Sequence, residues 1–270
     1  MESILSKLKR ISVIRIIAFP FVKISEMFAG IKYRKSYSCE FFKSCKNMYE
    51  GRRCFIIGNG PSLRAEDLDM LKDEITFASN RIYYIFDQTE WRPTYYMCID
   101  KGIVSSNYKE IKELDLDNKL LINYAHKYIG DDPSVKYMIM SSVMLPKRKR
   151  LKKISSDISK YFSPVHTVTC SAMELAMYMG FKEIYLLGVD NSYNIKKSGT
   201  EYVVDSDSYF KGMKHETVTI GNANTIESRD YLYELFNREA KKRGIKIYNA
   251  TRGGMLEVYK RVSFYEIIKK

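Results

Sequence analysis

Residues 53–62 have the sequence Arg53-Cys54-Phe55-Ile56-Ile57-Gly58-Asn59-Gly60-Pro61-Ser62, which joins three local patterns in one segment. The run from Cys54 to Ile57 is apolar and rich in branched side chains, as a buried strand of a parallel sheet requires. Two glycines and Pro61 then interrupt the strand and turn the chain. The next residues, Leu63 to Leu71, carry leucines at helical spacing. The segment therefore predicts a strand, a tight loop and a helix.

A loop of this kind is typical of phosphate-binding proteins. The free backbone amides at the N-terminus of a helix attract anionic oxygens. The loop lacks the Lys-Ser/Thr of a P-loop and the spacing of the dinucleotide-binding fingerprint, so it defines neither of those classes. An ordinary strand-to-helix turn is the open alternative. The residues that the phosphate hypothesis assigns to donor binding are Gly58, Asn59, Gly60, Pro61 and Ser62.

Downstream of residue 62 the chain continues to alternate short apolar runs with helical patterns. Strands are predicted at 75–79, 94–99, 119–123, 135–141, 183–187 and 245–248, and helices at 107–114, 169–180 and 227–243. Such alternation is typical of an α/β fold with a doubly wound, mostly parallel, Rossmann-like sheet. In these sheets, ligands bind at the carboxyl ends of the strands.

Polar residues recur where the predicted strands end. They are Asn59, Asn80, Asp100, Asn123 and Asp190. Because the carboxyl ends of parallel strands share one edge of the sheet, we expect these side chains to lie along a common site.

Composition narrows the classes of partner. The 270 residues carry a formal net charge of +13, which favours an anionic partner such as a phosphorylated substrate, an anionic lipid or a nucleic acid. Five cysteines without a CxxC pair favour free thiols in a reducing compartment. The basic residues do not concentrate on a recognisable nucleic-acid-binding module, so we expect no nucleic-acid partner and keep a nucleic-acid-binding protein as an alternative.

Residues 1–50 differ from the rest of the chain. They hold ten Lys or Arg and four Glu, a formal charge of +6, with apolar residues interleaved. The most apolar part is too short to span a bilayer and is broken at Pro20. We therefore predict a basic amphipathic helical segment, residues 1–50, that binds an anionic membrane surface, with a helix packed on the domain or on a partner as the alternative. The catalytic domain is predicted at 51–270, with a lid around 191–218.

Two blocks of sequence resemble a known family. Gly58-Asn59-Gly60-Pro61-Ser62-Leu63 is similar to the opening motif of the bacterial sialyltransferases of glycosyltransferase family 42. The second block, Thr169 to Ala172 followed by Met179 to Asp190, is similar to that family's Thr-Ser-Gly, helix and Gly-Tyr-Lys-Glu-Ile-Tyr-Leu-Ser-Gly-Ile-Asp pattern. Both blocks also occur in polysaccharide-cluster proteins related to flagellin glycosylation factors and to archaeal 6-hydroxymethylpterin diphosphokinases.

The resemblance implies a GT-A-like sialyltransferase variant of the α/β fold and roles for individual residues. Asn59 would lie against the donor phosphate, and Asn80 would bind the ribose. Ser171 would hold phosphate or base, and Asp190 would complete the donor site. Tyr193 and Tyr202 resemble the tyrosine pair that stabilises the leaving phosphate in these metal-independent enzymes.

Two positions depart from the family pattern. Asp100 stands where the sialyltransferases have Asn, which suits a sugar or ribose hydroxyl and disfavours a phosphate. Thr219-Ile220-Gly221 is followed by Asn222 in place of the catalytic histidine, so His215, seven residues earlier, becomes the candidate base. His126 is the reserve base, Asp100 and Asp190 are further alternatives, and His166 is expected to be structural.

The sequence thus predicts a glycosyltransferase that moves a sugar from CMP-sialic acid or another nucleotide sugar to a glycan acceptor, which in turn would be lipid-linked. The setting would be capsule, lipopolysaccharide or other surface polysaccharide biosynthesis at the cytoplasmic face of the membrane. The alternative enzyme is a pyrophosphoryl transferase like the pterin diphosphokinases. No metal or cofactor is expected, because Asp205-Ser206-Asp207 matches the DxD pattern in a polar loop and not after a strand. The sequence leaves open whether the protein forms a homo-oligomer.

Overall fold

The computed structural model describes residues 33, 36–141, 151–192, 195–198, 201–204, 208–211, 218–220 and 224–269. For 195–198, 201–204, 218–220 and 224–228 the description covers the backbone alone. The helices are α1 (Tyr37–Ser44), α2 (Ala65–Asp69), α3 (Lys101–Glu113), α4 (His126–Ile129), α5 (Val168–Tyr178), α6 (Asn224–Lys242) and α7 (Phe264–Ile268). The strands are β1 (Arg53–Ile57), β2 (Thr76–Ser79), β3 (Tyr95–Cys98), β4 (Lys119–Ile122), β5 (Val135–Met138), β6 (Glu183–Leu187), β7 (Ile195–Ser198), β8 (Glu201–Val204), β9 (Val218–Ile220), β10 (Lys246–Asn249) and β11 (Lys260–Arg261).

Eight of the described strands form one parallel sheet, in the order β11-β10-β6-β1-β2-β3-β4-β5. The predicted α/β class and parallel sheet are confirmed. The strand run of residues 54–57 lies at the centre, paired on one side with β2 and on the other with β6. A parallel strand covered on both faces has no polar side to present, which explains its continuous apolar sequence.

The strand residues alternate between two buried layers. Cys54 and Ile56 belong to the layer beneath α5 and α6, whereas Phe55 and Ile57 belong to the layer beneath α2 and α3. Helices on both faces of a parallel sheet define a doubly wound arrangement. Both faces of the central strands are buried in apolar layers.

Helix α1 and the turn after it pack on this domain, although they precede the predicted domain start at residue 51. Phe42 and Cys45 are fully buried in the layer that contains α5. The backbone amides of Asn47 and Tyr49 donate to the carbonyls of Tyr178 and Met179 at the end of α5. Residues 37–50 are therefore part of the domain's packing, and the rest of the predicted membrane segment, apart from Tyr33 and Ser36, lies outside the described residues.

The predicted lid region contains regular structure that the sequence analysis did not anticipate. β7, β8 and β9 form a three-stranded antiparallel sheet between β6 and α6. Within the described part of the chain, no helix combines the length and apolar character needed to cross a bilayer.

Candidate functional site

The strand order places a topological switch point at the centre of the sheet. After β1 the chain runs outward through β2, β3 and β4 to β5, and then returns to place β6 on the other side of β1. The loops after β1 and β6 therefore leave the sheet in opposite directions. In doubly wound folds, this crevice is where ligands bind.

Here the switch point is closed by its own backbone. The amide of Gly58 donates to the Leu187 carbonyl and that of Gly60 to the Gly188 carbonyl, each at 2.8 Å. A Cβ atom at either glycine would overlap Gly188 or Asp190, so both positions require the absence of a side chain. The sequence analysis expected these amides to be free for phosphate, and the structure differs because the β6 loop already accepts from them.

Asp190 holds this crossing together. Its carboxylate is buried and accepts a 2.8 Å hydrogen bond from the Ser62 hydroxyl. Burial raises the pKa of Asp190 above its usual value, although the bonds from Ser62 oppose the shift. The Asp190 carbonyl accepts from the Met255 amide at 2.7 Å, and the Gly254 backbone lies against it. Asp190 thus joins the loops after β1, β6 and β10.

An open cavity lies one strand farther along the same edge. It has a volume of about 460 Å³ and is reached at the carboxyl ends of β2, β3 and β4. Its polar lining includes Asn80, Asp100 and His166. Its apolar lining consists of Ile99, Ile122, Met140, Pro164, Val165 and Val168.

Three buried side-chain oxygen atoms in this part of the domain have no hydrogen-bond partner within the described ranges. They are Asn59 Oδ1, Asn80 Oδ1 and Ser171 Oγ. Folded proteins rarely leave buried polar atoms unsatisfied, and exceptions often mark a site prepared for a ligand. All three residues were assigned to donor binding from the sequence.

The backbone around Asn80 is fixed tightly. Asn80 has a φ of 54°, in the left-handed region that Asn tolerates better than most residues. Its amide donates to the Met97 carbonyl at 3.0 Å, and its carbonyl accepts from the Tyr96 hydroxyl at 2.6 Å. The Asn59 side chain is held close by, because its Nδ2 donates to the Ser79 carbonyl at 3.0 Å. The Asn80 backbone and the Asn59 side chain are therefore held in place by hydrogen bonds within the protein.

Asp100 serves as the N-cap of α3. Its Oδ1 accepts from the amides of Gly102 at 2.7 Å and Ile103 at 3.0 Å. An N-cap carboxylate satisfies otherwise orphaned amides and is stabilised by the helix dipole. Asp100 lines the cavity while it performs this structural role.

The N-terminus of α5 forms a wall of the cavity through His166 and Val168. Thr167, the N-cap residue, makes no side-chain cap. The first turn of α5 carries no acidic residue, so the positive end of the helix is not neutralised from within and favours an anion nearby.

A buried carboxylate in α5 anchors the segment that completes this wall. Glu174 accepts hydrogen bonds from the Ser155 amide at 2.9 Å and from the Ser163 amide at 3.0 Å. Burial raises the pKa of Glu174 to about 7. Glu174 was not among the predicted site residues. The sequence feature that could have identified it is a charged residue inside an otherwise apolar helix.

The two described histidines, His126 and His166, lie at different cavities. His166 is exposed at the rim of the cavity, where the sequence analysis expected a structural residue. His126 begins α4, and its Nε2 lies 3.1 Å from Asp131 Oδ1, at a second cavity. His215 lies outside the described residues, so its role as a base stays a prediction.

The remaining candidates are only partly covered. Tyr193 lies outside the described residues, as does the segment 205–207 that matches the DxD pattern. Tyr202 lies on β8, and its side chain is not described. In the parts of the chain that are described, no cluster of three His, Cys, Asp or Glu side chains has the geometry of a metal site.

One described piece of the predicted lid reaches the central loop. Phe210 is buried in the layer that contains Phe55, and its amide donates to the Asn59 carbonyl at 3.0 Å. Residues 208–211 therefore cover the turn after β1. An aromatic residue in an otherwise polar segment was the sequence signal for this contact.

Most of the chain matches the model of a known protein family. The family model described as "6-hydroxymethylpterin diphosphokinase MptE-like" matches residues 28–196, more than half of the chain. The chain belongs to the MptE-like family. The match confirms that part of the resemblance seen in the sequence, and it begins before α1, in agreement with the packing of residues 37–50.

Solved structures with a similar course of the chain include two proteins. The MAf glycosyltransferase from Magnetospirillum magneticum AMB-1 aligns with a TM-score of 0.49 and 18% identity over 84% of this chain. This chain spans 38% of the length of that enzyme. The sialyltransferase CstII from Campylobacter jejuni, in complex with cytidine-5'-monophosphate, aligns with a TM-score of 0.42 and 15% identity, over 79% of this chain and 86% of that one. No curated protein sequence matches this MptE-like chain.

Proposed function

We propose that this MptE-like protein is a glycosyltransferase that uses a nucleotide-sugar donor. The observation that carries the proposal is the open cavity lined by Asn80, whose buried Oδ1 has no hydrogen-bond partner among the described residues, as is also the case for Asn59 Oδ1 and Ser171 Oγ. A ligand rich in hydroxyl, amino and phosphate groups is what such a set of polar atoms would stabilise.

The cavity lining suits the nucleoside half of the donor. Apolar walls from Ile99, Ile122 and Val165 can enclose a flat heterocycle. Asn80 and Asp100 lie at the same cavity, where they can bond the ribose hydroxyls. The N-terminus of α5 favours a phosphate on the remaining side.

Transfer of the sugar further requires stabilisation of the leaving phosphate and a base for the acceptor hydroxyl. We assign the first task to Tyr193 and Tyr202, whose neutral hydroxyls can donate to the departing phosphate. We assign the second to His215, with His126 and Asp100 as reserves. These assignments extend the family resemblance and make the reaction metal-independent.

The family description favours a second candidate, pyrophosphoryl transfer from ATP, which ordinarily needs magnesium. Among the described residues, the cavity offers one carboxylate, Asp100, whose Oδ1 already accepts two amide bonds. Mg²⁺ is usually bound through one or two carboxylates together with the substrate phosphates. The described part of the cavity supplies Asp100 as the one carboxylate for such an ion, so we rank the glycosyltransferase first and test the second candidate directly.

The test is a panel of nucleotides and nucleotide sugars, scored by the rise in melting temperature and then by calorimetry. We expect one nucleotide sugar and its nucleotide to bind, and radiolabelled sugar to pass to a glycan acceptor. Binding of ATP with magnesium, followed by pyrophosphoryl transfer to a pterin, would establish the second candidate instead.

A matched pair of variants locates the site. Asn80→Gly removes the amide side chain and still permits the left-handed backbone, so it should weaken nucleotide binding about tenfold with little change in stability. Asn47 has a φ of 56° and lies at the opposite end of the sheet, so Asn47→Gly is the control. Equal nucleotide affinity in the two variants would remove Asn80 from the site.

We also propose where the reaction takes place. The part of the predicted membrane segment before α1, residues 1–36, carries eight Lys or Arg and two Glu, and it would hold the protein on the cytoplasmic membrane face near a lipid-linked acceptor. Binding to anionic vesicles should fall with salt and be lost when residues 1–30 are deleted. Full-length protein that stays free of anionic vesicles at low salt would contradict this proposal.

A further inference from the structure

A second and larger cavity lies along the outer edge of the sheet. Its volume is about 1070 Å³. Val135, Tyr137 and Ile139, which alternate along β5 and just beyond it, form its floor. The residues after β4 and the start of α1 form its sides. We call this cavity the β5 groove.

The β5 groove adjoins the donor cavity through consecutive residues. Ile122 lines the donor cavity and Asn123 lines the β5 groove. In the same way, Met140 lines the donor cavity and Ile139 the groove. The two cavities therefore end within one residue of each other at the carboxyl ends of β4 and β5.

Aromatic side chains with polar tips dominate the groove. Its described lining includes Tyr33, Tyr37, Tyr124 and Tyr137. Tyr37 is 63% exposed, so its ring face is open to solvent. Tyr33 is 93% buried, and its hydroxyl has no hydrogen-bond partner among the described residues. The groove thus presents an open aromatic face on Tyr37.

The charges in the groove largely pair with one another. Asp132 Oδ2 lies 3.9 Å from Lys119 Nζ, and Asp131 Oδ1 lies 3.1 Å from His126 Nε2. The Lys127 ammonium packs on tyrosine rings. Such a lining carries no concentrated charge of either sign, so it suits a neutral ligand better than nucleic acid or an anionic lipid headgroup.

The polar lining also argues against a hydrocarbon chain. Asn123, His126 and the two aspartates would lose water without gaining hydrogen bonds if an acyl or prenyl chain filled the groove. A neutral oligosaccharide suits both the charge and the polarity of this lining. Its hydroxyls pair with the amide, imidazole and carboxylate groups, and the apolar faces of its rings pack on tyrosine.

We infer that the β5 groove binds a neutral oligosaccharide and presents its end to the donor cavity. The first half of this inference stands on the groove alone. The second half, that the oligosaccharide is the acceptor, rests on the proposed glycosyltransferase activity. Tyr37 and Tyr124 then supply the stacking faces, and Asp131, whose side chain is fully exposed apart from its contact with His126, bonds the hydroxyls.

The test uses the full chain on a glycan array that contains neutral and acidic oligosaccharides, followed by calorimetry with the strongest neutral binder. Wild-type protein should bind at least one neutral oligosaccharide. Tyr37→Ala and Tyr124→Ala should each weaken that binding about tenfold, because each removes one stacking face. Tyr161 is 46% exposed and is not part of the groove, so Tyr161→Ala is the matched control and should bind as wild type.

Nucleotide affinity, measured on the same samples, separates this inference from the proposed function. Wild-type protein that binds a nucleotide sugar and no neutral oligosaccharide overturns the inference alone. Neutral oligosaccharide binding without nucleotide binding keeps the groove and overturns the glycosyltransferase. Preference for acidic glycans, or equal binding by the tyrosine variants and the control, also overturns the inference.

Discussion

The carboxyl edge of the sheet contains two neighbouring regions that both look like ligand sites from the sequence. In the structure, one is closed by packed backbone and the other is an open cavity. At the β1–β6 crossing, the glycines of residues 58–60 pack against Gly188 and Asp190, and the backbone donors are used. At the ends of β2, β3 and β4, a cavity of about 460 Å³ is open, and side-chain oxygens are unsatisfied. A glycine-rich loop therefore marks the close approach of two loops here, and the room for a ligand lies beside it.

The largest expected effect tests the closed region. Gly58→Ala places a methyl group onto the Gly188 carbonyl, a backbone atom that cannot rotate away. Overpacking of this kind should reduce the free energy of unfolding by about 3 kcal/mol. The matched control is Gly102→Ala in the first turn of α3, where the nearest atom is the movable Asp100 carboxylate at 3.1 Å. Urea denaturation of both variants should show a loss for Gly58→Ala alone, and similar midpoints would mean that the crossing is not tightly closed.

The next effect concerns the wall of the open region. The pKa of Glu174 is raised from 4.5 to about 7 in the folded protein, so its contribution to stability is fully present below pH 4.5 and is lost as pH rises through 7. Between pH 5 and pH 7 this loss should amount to about 2 kcal/mol. Glu174→Gln should remove this part of the pH dependence, as measured by urea midpoints at the two values.

The exposed Glu234 provides the control for that measurement. Glu234→Gln should keep the decline between pH 5 and pH 7. If Glu174→Gln retains the same decline, the carboxylate is not what links pH to the wall of the cavity.

The smallest effect separates capping from ligand binding at Asp100. Asp100→Ala should cost about 1 kcal/mol of stability, because the amides of Gly102 and Ile103 lose their acceptor. Asp100→Asn keeps a capping oxygen and should restore that stability. Calorimetry then tests the second role: nucleotide affinity that is unchanged in Asp100→Ala would leave Asp100 as a helix cap only.

Much of the fold was predictable from residues 53–250 because its rules are local. Apolar runs such as 54–57 and 183–187 define buried strands, and Gly180 and Gly244, with positive φ, end α5 and α6 as expected. The antiparallel sheet of residues 195–220 was not predicted. Its strands are only three or four residues long, and their pairing depends on partners that local periodicity does not reveal.

The candidate site was predictable in its chemistry and not in its shape. Strand periodicity alone placed Asn59, Asn80 and Asp100 at one edge of the sheet, since side chains that follow parallel strands must gather there. Nothing local distinguishes an amide that faces a ligand from one that faces a neighbouring loop. The contacts that close the chain around Gly58 and Gly60 come from residues more than a hundred positions away. The burial of Glu174 and the groove along β5 depend on how separate elements pack together. Those contacts exist only once the sheet is assembled, because space and desolvation are properties of the packed chain and not of any one segment.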